Sequence, residues 1–249
     1  IKTYFAHKKH IDPEKIISVA VTPCTAKKAE IAREELCDAG KLLNIEEMRD
    51  NDYVITTKEL VQWCQEEGLD LDKITPSKFD SVLGEGTGAG MIFGNTGGVM
   101  EAALRTVYRV LEGKEAPADF YQLRPVRGLS NRKEAEVTIA GKKLRVCILY
   151  GTAAAEEFLA EDMNGYHFVE VMTCPGGCIS GAGQPDCGSV PVSDVVRKKR
   201  IQSLYQADEQ AERRNSMDNP EIGTIYHEFF KEPLSMLSEK LLHTTYKRK

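Results

Sequence analysis

Apolar and polar positions in the first half of the chain follow two different periods. Residues 16–21 form a continuous apolar run, typical of a strand that is buried on both faces of a parallel sheet. Residues 53–56 predict a second strand. The charged stretch 26–37 predicts a helix, and residues 57–67 predict another that stops at Gly68. Strands alternating with helices in this way favour an α/β fold.

The second half of the chain predicts a hairpin and then a helical tail. Residues 135–139 and 144–150 flank Gly141-Lys142-Lys143, which is the pattern of a β-hairpin. A helix at 152–163 and an apolar strand at 167–172, which we expect to be buried, complete a strand–helix–strand unit. Three charged helical stretches follow, with Pro220 and Pro233 expected at the starts of the second and third: 194–214, 219–231 and 233–243.

A long loop and an amphipathic helix lie between these halves. The loop, residues 69–90, is longer than most connections and therefore predicts a functional role. Helical spacing at residues 99–112 predicts a helix with one apolar face. That face comprises Met100, Ala103, Leu104, Val107, Val110 and Leu111. The whole pattern predicts two sheet-containing lobes with flanking helices, 1–113 and 134–193, and a helical tail, 194–249.

Composition narrows the classes of function. The chain has 29% charged residues and a net charge of −5, which disfavours a nucleic-acid partner. It has no apolar run of the roughly 18–20 residues that a membrane-spanning helix needs. Seven cysteines, an odd number, predict a reducing compartment, and we expect a cytoplasmic location. Because the chain begins at Ile1 and not at Met, we expect a piece of a longer protein.

The densest chemical signal is the segment Cys174-Pro175-Gly176-Gly177-Cys178, which follows the last predicted strand. Pro175 ends strand pairing, and the two glycines let the chain fold back so that both sulfurs can face one object. Cys24 lies where the first strand gives way to a helix, which is where open α/β sheets place their ligands.

The other cysteines and the histidines give weaker evidence for a metal site. The pair Cys174 and Cys178 could be half of a zinc site, but the sequence offers no second close pair of Cys or His. We expect three cysteines to be ordinary buried thiols: Cys37, Cys64 and Cys147. Cys187 lies in a predicted loop, and its role stays open. The five histidines are scattered, and none predicts a metal site.

Two long motifs resemble those of the iron-only (di-iron) hydrogenases. Thr22-Pro23-Cys24-Thr25-Ala26-Lys27-Lys28-Ala29-Glu30 is similar to the second signature motif of that family. Glu170-Val171-Met172-Thr173-Cys174-Pro175-Gly176-Gly177-Cys178 is similar to the third. Residues 93–103 resemble the stretch between these motifs, and residues 220–246 resemble the end of the family. The resemblance therefore runs along almost the whole chain, in matching order and spacing.

The resemblance implies a cofactor, the H-cluster, in which a 4Fe-4S cubane is bridged to a di-iron unit carrying carbonyl and cyanide ligands. It implies that Cys24, Cys174 and Cys178 bind iron, with Cys178 as the bridging ligand. Lys27 would donate a charge-assisted hydrogen bond to a cyanide ligand, and Met172 would pack its thioether against the di-iron unit. Four further residues would line the pocket: Thr22, Pro23, Phe93 and Gly94. We expect the cysteine loops to meet at the cleft between the two lobes.

The chain departs from the family pattern in two ways. The first signature motif, a Thr-Ser-Cys-Cys-Pro type sequence, does not occur in it. The resemblance implies that this motif carries the fourth cluster cysteine and a proton-relaying cysteine, so we expect a missing N-terminal segment to supply them. This chain alone would then be inactive. Thr22 stands where the family usually has Met. The resemblance leaves two interpretations of this replacement: it tunes the site, or it marks a sensory or less active branch.

The resulting functional prediction is reversible oxidation of molecular hydrogen, as part of a complete domain. The expected partners are a ferredoxin-like electron carrier and hydrogenase maturation proteins. The alternatives are a non-catalytic hydrogen or redox sensor and an iron–sulfur assembly factor of related fold. A third possibility is a chain that folds without any cluster, with an apolar face exposed where the missing segment would cover it.

Overall fold

The computed structural model describes residues 1–80, 83–161 and 163–244. The remaining residues fall in the predicted loop 69–90, the predicted helix 152–163 and the predicted tail, and they lie outside the described part. Within it the fold is mixed α/β with two sheets, which confirms the predicted fold class. No described helix combines the length and the apolar character that crossing a bilayer requires.

The elements follow each other in this order along the chain. The strands are β1 (Val19–Thr22), β2 (Tyr53–Thr56), β3 (Arg132–Ile139), β4 (Lys142–Tyr150) and β5 (Phe168–Met172). The α-helices are α1 (Tyr4–Lys9), α2 (Ala26–Glu30), α3 (Asp38–Leu43), α4 (Thr57–Glu66), α5 (Gly88–Ile92), α6 (Gly98–Glu112), α7 (Thr152–Leu159), α8 (Asp194–Gln210), α9 (Pro220–Ile225) and α10 (Met236–Leu242). Short 3₁₀ turns link several of them, and a π-helical turn (Tyr226–Phe230) follows α9.

The chain forms two compact units, each assembled from separate segments. The first unit comprises Ile1–Glu85, Ala182–Pro185 and Pro220–Lys249, and the second comprises Gly86–Gly181 and Asp186–Asn219. The predicted lobes are continuous segments, whereas these units are not. Helix α6 belongs to the second unit because it packs against the sheet formed by β3 and β4.

The second unit contains a sheet in the order β3-β4-β5, with β3 antiparallel and β5 parallel to the central strand β4. Val146 and Ile148 of β4 pack in a cluster with Met100 and Leu104 of α6. The intervening β4 residues, Cys147 and Leu149, pack in a separate cluster with α7. Strand β4 is therefore buried on both faces, which is the environment its unbroken apolar run predicts.

The first unit contains a two-stranded parallel sheet, β1 with β2. The predicted burial of the first strand on both faces is wrong for the described residues. Val19 and Val21 alternate with less exposed residues, so they lie on the same face of the strand, and each is 50% exposed. The prediction for the strand at 167–172 is also wrong. Phe168 and Val171 are exposed, and the buried residue of β5 is a charged one, Glu170.

Local chemistry explains several of the boundaries. Helix α4 begins with a capping box, in which Thr56 Oγ1 accepts from the Glu59 N–H and the Glu59 carboxylate accepts from the Thr56 N–H. The predicted hairpin is confirmed, and its two turn residues, Ala140 and Gly141, have φ angles of +51° and +72°. Positive φ at both central residues matches the right-handed twist of the flanking strands.

Three predicted helices differ from the observed ones. The helix predicted at 26–37 ends at Glu30 and gives way to turns. The helix predicted to start at Pro233 starts at Met236, because Ser235 Oγ caps it by accepting from the Ser238 N–H. Two of the six residues predicted on the apolar face of α6, Val110 and Leu111, are exposed.

Candidate functional site

The first cysteine motif forms a tight turn after β1, in the first unit. Thr22 Oγ1 donates to the Cys24 carbonyl at 3.1 Å and accepts from the Cys24 N–H at 3.4 Å. These bonds close the turn through Pro23 and place Cys24 directly before α2. Cys24 is half-buried and forms no disulfide, so its sulfur is available as a ligand.

Gly183 holds this turn in place, and sequence reasoning missed that role. Its N–H donates to the Pro23 carbonyl at 2.9 Å, and its carbonyl accepts from the Lys58 N–H at 2.8 Å. A Cβ on Gly183 would lie 2.8 Å from Thr56 Cγ2 and 2.9 Å from the Pro23 backbone. Only glycine fits there. The stretch Gly181-Ala182-Gly183 was the available signal in the sequence, but it does not reveal Pro23 as the contact.

The second cysteine motif forms a loop after β5, in the second unit. Gly176 and Gly177 have φ angles of +82° and +96°, which turn the chain back on itself. The Gly177 N–H donates to the Cys174 carbonyl at 2.9 Å. Cys174 is half-buried and Cys178 is exposed, and neither forms a disulfide.

This loop packs directly on the segment that contains Phe93 and Gly94. The Thr96 N–H donates to the Gly176 carbonyl at 3.0 Å, and the Ile179 N–H donates to the Gly94 carbonyl at 3.1 Å. A Cβ on Gly177 would lie 2.7 Å from both the Gly94 carbonyl oxygen and the Thr96 nitrogen. The structure thus brings the second cysteine loop and the predicted pocket segment into backbone contact.

A buried carboxylate and a buried ammonium fix the same segment from the sheet side. Glu170 of β5 accepts from the N–H groups of Gly97 at 2.6 Å and Met100 at 2.7 Å, at the start of α6. Lys133 of β3 donates to the Thr96 carbonyl at 3.2 Å and to the Gly128 carbonyl at 3.1 Å. Sequence reasoning missed both residues. A lone carboxylate inside an apolar strand pattern was the signal for Glu170.

The protonation of these two groups follows from their burial. Burial raises the pKa of Glu170 above its ordinary value, although the two N–H donors and Lys133 act in the opposite direction. Burial lowers the pKa of Lys133 to about 8, and the nearby Glu170 carboxylate only partly offsets that effect. Glu170 and Lys133 therefore hold the segment 96–100 through hydrogen bonds, although both are groups whose charge is costly to bury.

Two buried polar side chains beside the cysteine loop have no hydrogen-bond partner among the described residues. They are Asn95, through both atoms of its amide, and Thr96, through its hydroxyl. Both residues are almost completely buried. Buried amides and hydroxyls in folded proteins are normally paired with protein or ordered water. Their unpaired atoms therefore fit a segment that borders a bound polar group or water.

Three other predicted site residues, Lys27, Met172 and Phe93, make no side-chain contact among the described residues that indicates a role in the site. Lys27 is 47% exposed and forms an ion pair with Glu30 of its own helix, with Nζ and Oε2 2.5 Å apart. Met172 is half-buried at the end of β5, where its carbonyl accepts from the Gly151 N–H. Phe93 is exposed. The roles predicted for these three side chains stay predictions.

The remaining cysteines divide by burial. Cys147 is fully buried in the second unit, as expected, and burial raises the pKa of its thiol. Cys37 and Cys64 are only half-buried, and Cys187 is exposed. Within the described ranges, no three His, Cys, Asp or Glu side chains are placed to hold a single metal ion. That finding concerns sites for one metal ion. An iron–sulfur cluster has several iron atoms, so its cysteine ligands need not converge on a single point.

The donor set fits an iron–sulfur cofactor on chemical grounds. Three thiols outside any disulfide occur in two glycine-supported turns, and soft thiolate sulfur is the ligand that iron–sulfur clusters use. The unpaired amide and hydroxyl of Asn95 and Thr96 lie beside one of these turns. The residues present are therefore compatible with the cofactor that the sequence motifs imply.

Comparison with known families gives two matches along the chain. Residues 1–182 match the family described as the iron-only hydrogenase large subunit, C-terminal domain. Residues 194–249 match the family described as the iron hydrogenase small subunit. The two matches are separated by a short segment that begins after the second cysteine motif.

Individual relatives agree with these matches. Iron hydrogenase 1 of Clostridium pasteurianum is 37% identical over an alignment of 251 positions, which covers 99% of this chain and 42% of that protein. The periplasmic [Fe] hydrogenase large subunit of Nitratidesulfovibrio vulgaris is 42% identical over 187 residues, covering 74% of this chain and 42% of that protein. The chain thus spans about two fifths of the length of these relatives.

A more distant relative and a solved structure complete the comparison. The cytosolic Fe-S cluster assembly factor narfl of Xenopus tropicalis is 29% identical over 99% of this chain and 50% of that protein. The structure of a variant of [FeFe]-hydrogenase HydA1 from Chlamydomonas reinhardtii superimposes with a TM-score of 0.77 and 34% identity. That match covers 98% of this chain and 66% of the other.

Proposed function

The chain belongs to the iron-only hydrogenase family, and we propose that it forms part of a domain that interconverts molecular hydrogen with protons and electrons. The observation that carries the proposal is the backbone contact between the second cysteine loop and the segment 94–96. Gly177 is required for that contact, because any Cβ would overlap Gly94 and Thr96. At this contact, the two segments that resemble the family pack so closely that position 177 has no room for a Cβ.

In this proposal, the chain supplies three of the four thiolates that hold a 4Fe-4S cubane, with Cys178 bridging to the di-iron unit. The three ligands are Cys24, Cys174 and Cys178. The fourth thiolate would come from a segment outside residues 1–249, since the chain spans about two fifths of the length of its relatives. When bound, the cofactor supplies the redox chemistry, and its carbonyl and cyanide ligands tune that chemistry.

The chain's own residues would anchor and enclose the cofactor. Lys27 would exchange its ion pair with Glu30 for a charge-assisted hydrogen bond to a cyanide ligand. Met172 and Phe93 would exclude water from the di-iron side, together with Thr22, Pro23 and Gly94. Glu170 and Lys133 would keep the segment 94–100 in position by their bonds to its backbone.

The first test measures iron and acid-labile sulfide after anaerobic reconstitution of the chain. We expect Cys174→Ser and Cys178→Ser to lose most of the bound iron relative to wild type. Cys187→Ser is the matched control, because Cys187 is also an accessible thiol of the second unit but lies outside both motifs. An equal loss of iron in Cys187→Ser would contradict the assignment of the ligands.

The second test addresses Lys27. After maturation, infrared spectroscopy would record the cyanide and carbonyl bands of wild type, Lys27→Met and Lys28→Met. Lys28 is the matched control, because it lies on the same helix but pairs with Glu59 at 2.5 Å. We expect Lys27→Met to lose or shift the cyanide bands and Lys28→Met to keep them. Identical spectra in both variants would contradict the role of Lys27.

An iron–sulfur assembly factor is the second candidate, favoured by the 29% identity to such a factor over almost the whole chain. The infrared experiment separates the two. Measured on the complete protein, bound iron and sulfide without cyanide or carbonyl bands would support the assembly factor, whereas the bands would support the hydrogenase. A hydrogen or redox sensor would show the bands with little turnover of hydrogen, and Thr22 is the residue that favours it.

The partners and the location follow from the proposed activity. Electrons would be exchanged with a ferredoxin-like carrier, and maturation proteins would insert the di-iron unit. We propose a cytoplasmic location, since the odd number of cysteines and their wide spacing are not typical of a disulfide-rich secreted protein. One of the relatives is named as periplasmic, so fractionation of cells producing the complete protein is the direct test.

A further inference from the structure

The strands β1 and β2 stop pairing just before the turn of the first cysteine motif. Their last paired residues are Thr22 and Thr56. After this pair, β1 continues into Pro23 and Cys24, whereas β2 continues into the first turn of helix α4. Pro23 has no N–H group, so it cannot donate a ladder hydrogen bond. The carbonyl of Pro23 and the N–H groups at the start of α4 therefore need partners from outside the ladder.

Gly183 supplies a partner to each of these two ends. Its N–H donates to the Pro23 carbonyl at 2.9 Å, and its carbonyl accepts from the Lys58 N–H at 2.8 Å. Lys58 is the second residue of α4, where a backbone N–H has no carbonyl partner within the helix. One residue from a distant part of the sequence therefore joins the end of β1 to the start of α4.

Gly183 fits between these two ends because it carries no side chain. A Cβ there would lie 2.8 Å from Thr56 Cγ2 and 2.9 Å from the carbonyl carbon and oxygen of Pro23. Thr56 is buried and its hydroxyl caps α4, so it has little freedom to move away. The φ angle of Gly183 lies outside the left-handed region. The close approach, and not the backbone conformation, therefore requires glycine.

Two other contacts of the turn attach it less firmly. Thr22 Oγ1 bonds to the N–H and the carbonyl of Cys24, so it shapes the turn without joining it to another element. Lys28 of α2 pairs with Glu59 of α4 at 2.5 Å, but both side chains are almost half exposed. Exposed ion pairs contribute little to stability. The backbone hydrogen bonds of Gly183 therefore attach the turn to α4 more firmly than this ion pair does.

We propose that Gly183 is a positioning residue for Cys24. It holds the carbonyl of the residue directly before Cys24, and a cysteine has only one side-chain torsion through which its sulfur can then move. Gly183 also lies five residues after Cys178. One short stretch of chain therefore contains a proposed iron ligand and the residue that positions another. The inference rests on the proposed function only in taking Cys24 as an iron ligand.

The first measurement tests the position of Cys24 in the apoprotein of the whole chain. Alkylation of Cys24 by iodoacetamide would be followed by peptide mass spectrometry, with Cys174 of the same molecules as the internal reference. We expect Gly183→Ala to alkylate at Cys24 at least about threefold faster than wild type, because a released turn exposes the half-buried thiol more often. The rate at Cys174 should not change.

Two control variants separate positioning from a general loss of structure. Lys28→Met breaks the exposed ion pair between α2 and α4 and should alkylate as wild type does. Gly223→Ala adds a methyl group to another glycine of the first unit, with nothing within 4 Å of the new Cβ, and should also match wild type. Amide hydrogen exchange in β1 and β2 shows whether each variant is folded. An unchanged rate at Cys24 in folded Gly183→Ala, or equal acceleration in Gly223→Ala, would overturn the inference.

A second variant keeps the test decisive if Gly183→Ala loses the exchange protection of β1 and β2. Thr22→Val removes both bonds of Thr22 Oγ1 and leaves the two bonds of Gly183 in place. Because Gly183 still holds the turn, Cys24 of this variant should alkylate within about twofold of the wild-type rate. Faster alkylation than that would show that the Gly183 bonds do not hold Cys24.

A spectroscopic measurement separates a positioning role from a structural one. After anaerobic reconstitution, electron paramagnetic resonance would be recorded on the reduced cluster of wild type, Gly183→Ala and Gly223→Ala. We expect Gly183→Ala to change the g values or to lose bound iron, because a displaced thiolate alters the iron that it binds. Gly223→Ala should keep the wild-type spectrum. A wild-type spectrum from Gly183→Ala would contradict the positioning role.

The two measurements also keep this inference distinct from the proposed function. If wild type binds no iron, the proposed function fails, but the alkylation rates still decide whether Gly183 positions Cys24. If wild type binds iron and the rate at Cys24 is the same in folded Gly183→Ala, the proposed function stands and the positioning role fails.

Discussion

The two sheets of this protein place similar apolar strands in opposite environments. Strand β4 of the second unit is covered on both faces, by α6 and by α7. Strand β1 of the first unit pairs only with β2 in the described structure, and half of the surface of Val19 and of Val21 is exposed. A run of apolar residues therefore forms a buried strand in the second unit and a partly exposed strand in the first.

The two units also differ in how deeply they bury their ion pairs. The second unit buries Glu101, Arg105 and Asp208 completely, and their mutual contacts join α6 to α8. In the first unit, the buried ammonium of Lys2 pairs with Asp52, which keeps partial contact with solvent. A buried network is costly to disturb, whereas a partly solvated pair is not. The comparison teaches that mutations of equal chemistry should differ in cost according to how deeply the charged groups are buried.

The largest expected effect comes from breaking the buried network. Arg105→Met should lower the free energy of unfolding by about 3 to 5 kcal/mol, because Glu101 and Asp208 lose a buried charge partner. Chemical denaturation measures this change. The control is Arg132→Met, whose guanidinium pairs with Glu161 at the surface and should matter little. Similar losses in both variants would show that burial does not decide the cost.

The next effect concerns the cysteine loop. Gly177→Ala should cost about 2 to 3 kcal/mol, because the new Cβ meets Gly94 and Thr96 in addition to the strain of a positive φ. Gly165→Ala is the matched control, since Gly165 has a similar φ of +89° but open space around its Cβ position. Thermal denaturation of both variants isolates the contribution of the contact. Equal melting temperatures would mean that the loop is not held by close packing.

A pH dependence tests the buried lysine of the second unit. Between about pH 8 and pH 10.5, the unfolded chain keeps the Lys133 proton that the folded chain releases. Stability should therefore rise with pH in this window, because the unfolded state binds more protons. Relative to Lys133→Met, wild type should gain about 2 kcal/mol between about pH 8 and pH 9.5. A difference between the two proteins that does not change with pH would contradict a lowered pKa for Lys133.

The smallest effect compares the two strands directly. Val146→Thr in β4 should cost about 1 to 3 kcal/mol, because it places a hydroxyl among buried apolar side chains. Val21→Thr in β1 should change stability by less than about 0.5 kcal/mol, because that side chain is half exposed. Both substitutions keep a β-branched residue, so strand propensity is nearly constant. Amide exchange within each unit measures the two effects separately.

Some features of the candidate site were visible in the sequence, and others depend on tertiary contacts. The cysteine motifs were visible in consecutive residues, because each is a short stretch with its own chemistry, whereas the pocket role of residues 93–103 comes from the family resemblance alone and stays a prediction. Glu170 and Lys133 were not visible as site residues, because their roles arise from contacts with the backbone of Gly97, Met100 and Thr96, which are distant in sequence. Gly183 was visible as a glycine, but its partner, Pro23, was not.

Local patterns along the chain were sufficient for the α/β class, the hairpin around Gly141 and helix α4. These features depend on neighbours a few residues apart, and hydrogen bonds or backbone angles within that range decide them. The burial of β4 but not of β1, and the pairing of Arg105 with Asp208, depend on residues that only tertiary packing brings together. Hydrophobic periodicity does not reveal a buried ion pair, because its charged members read as surface positions until their partners are known.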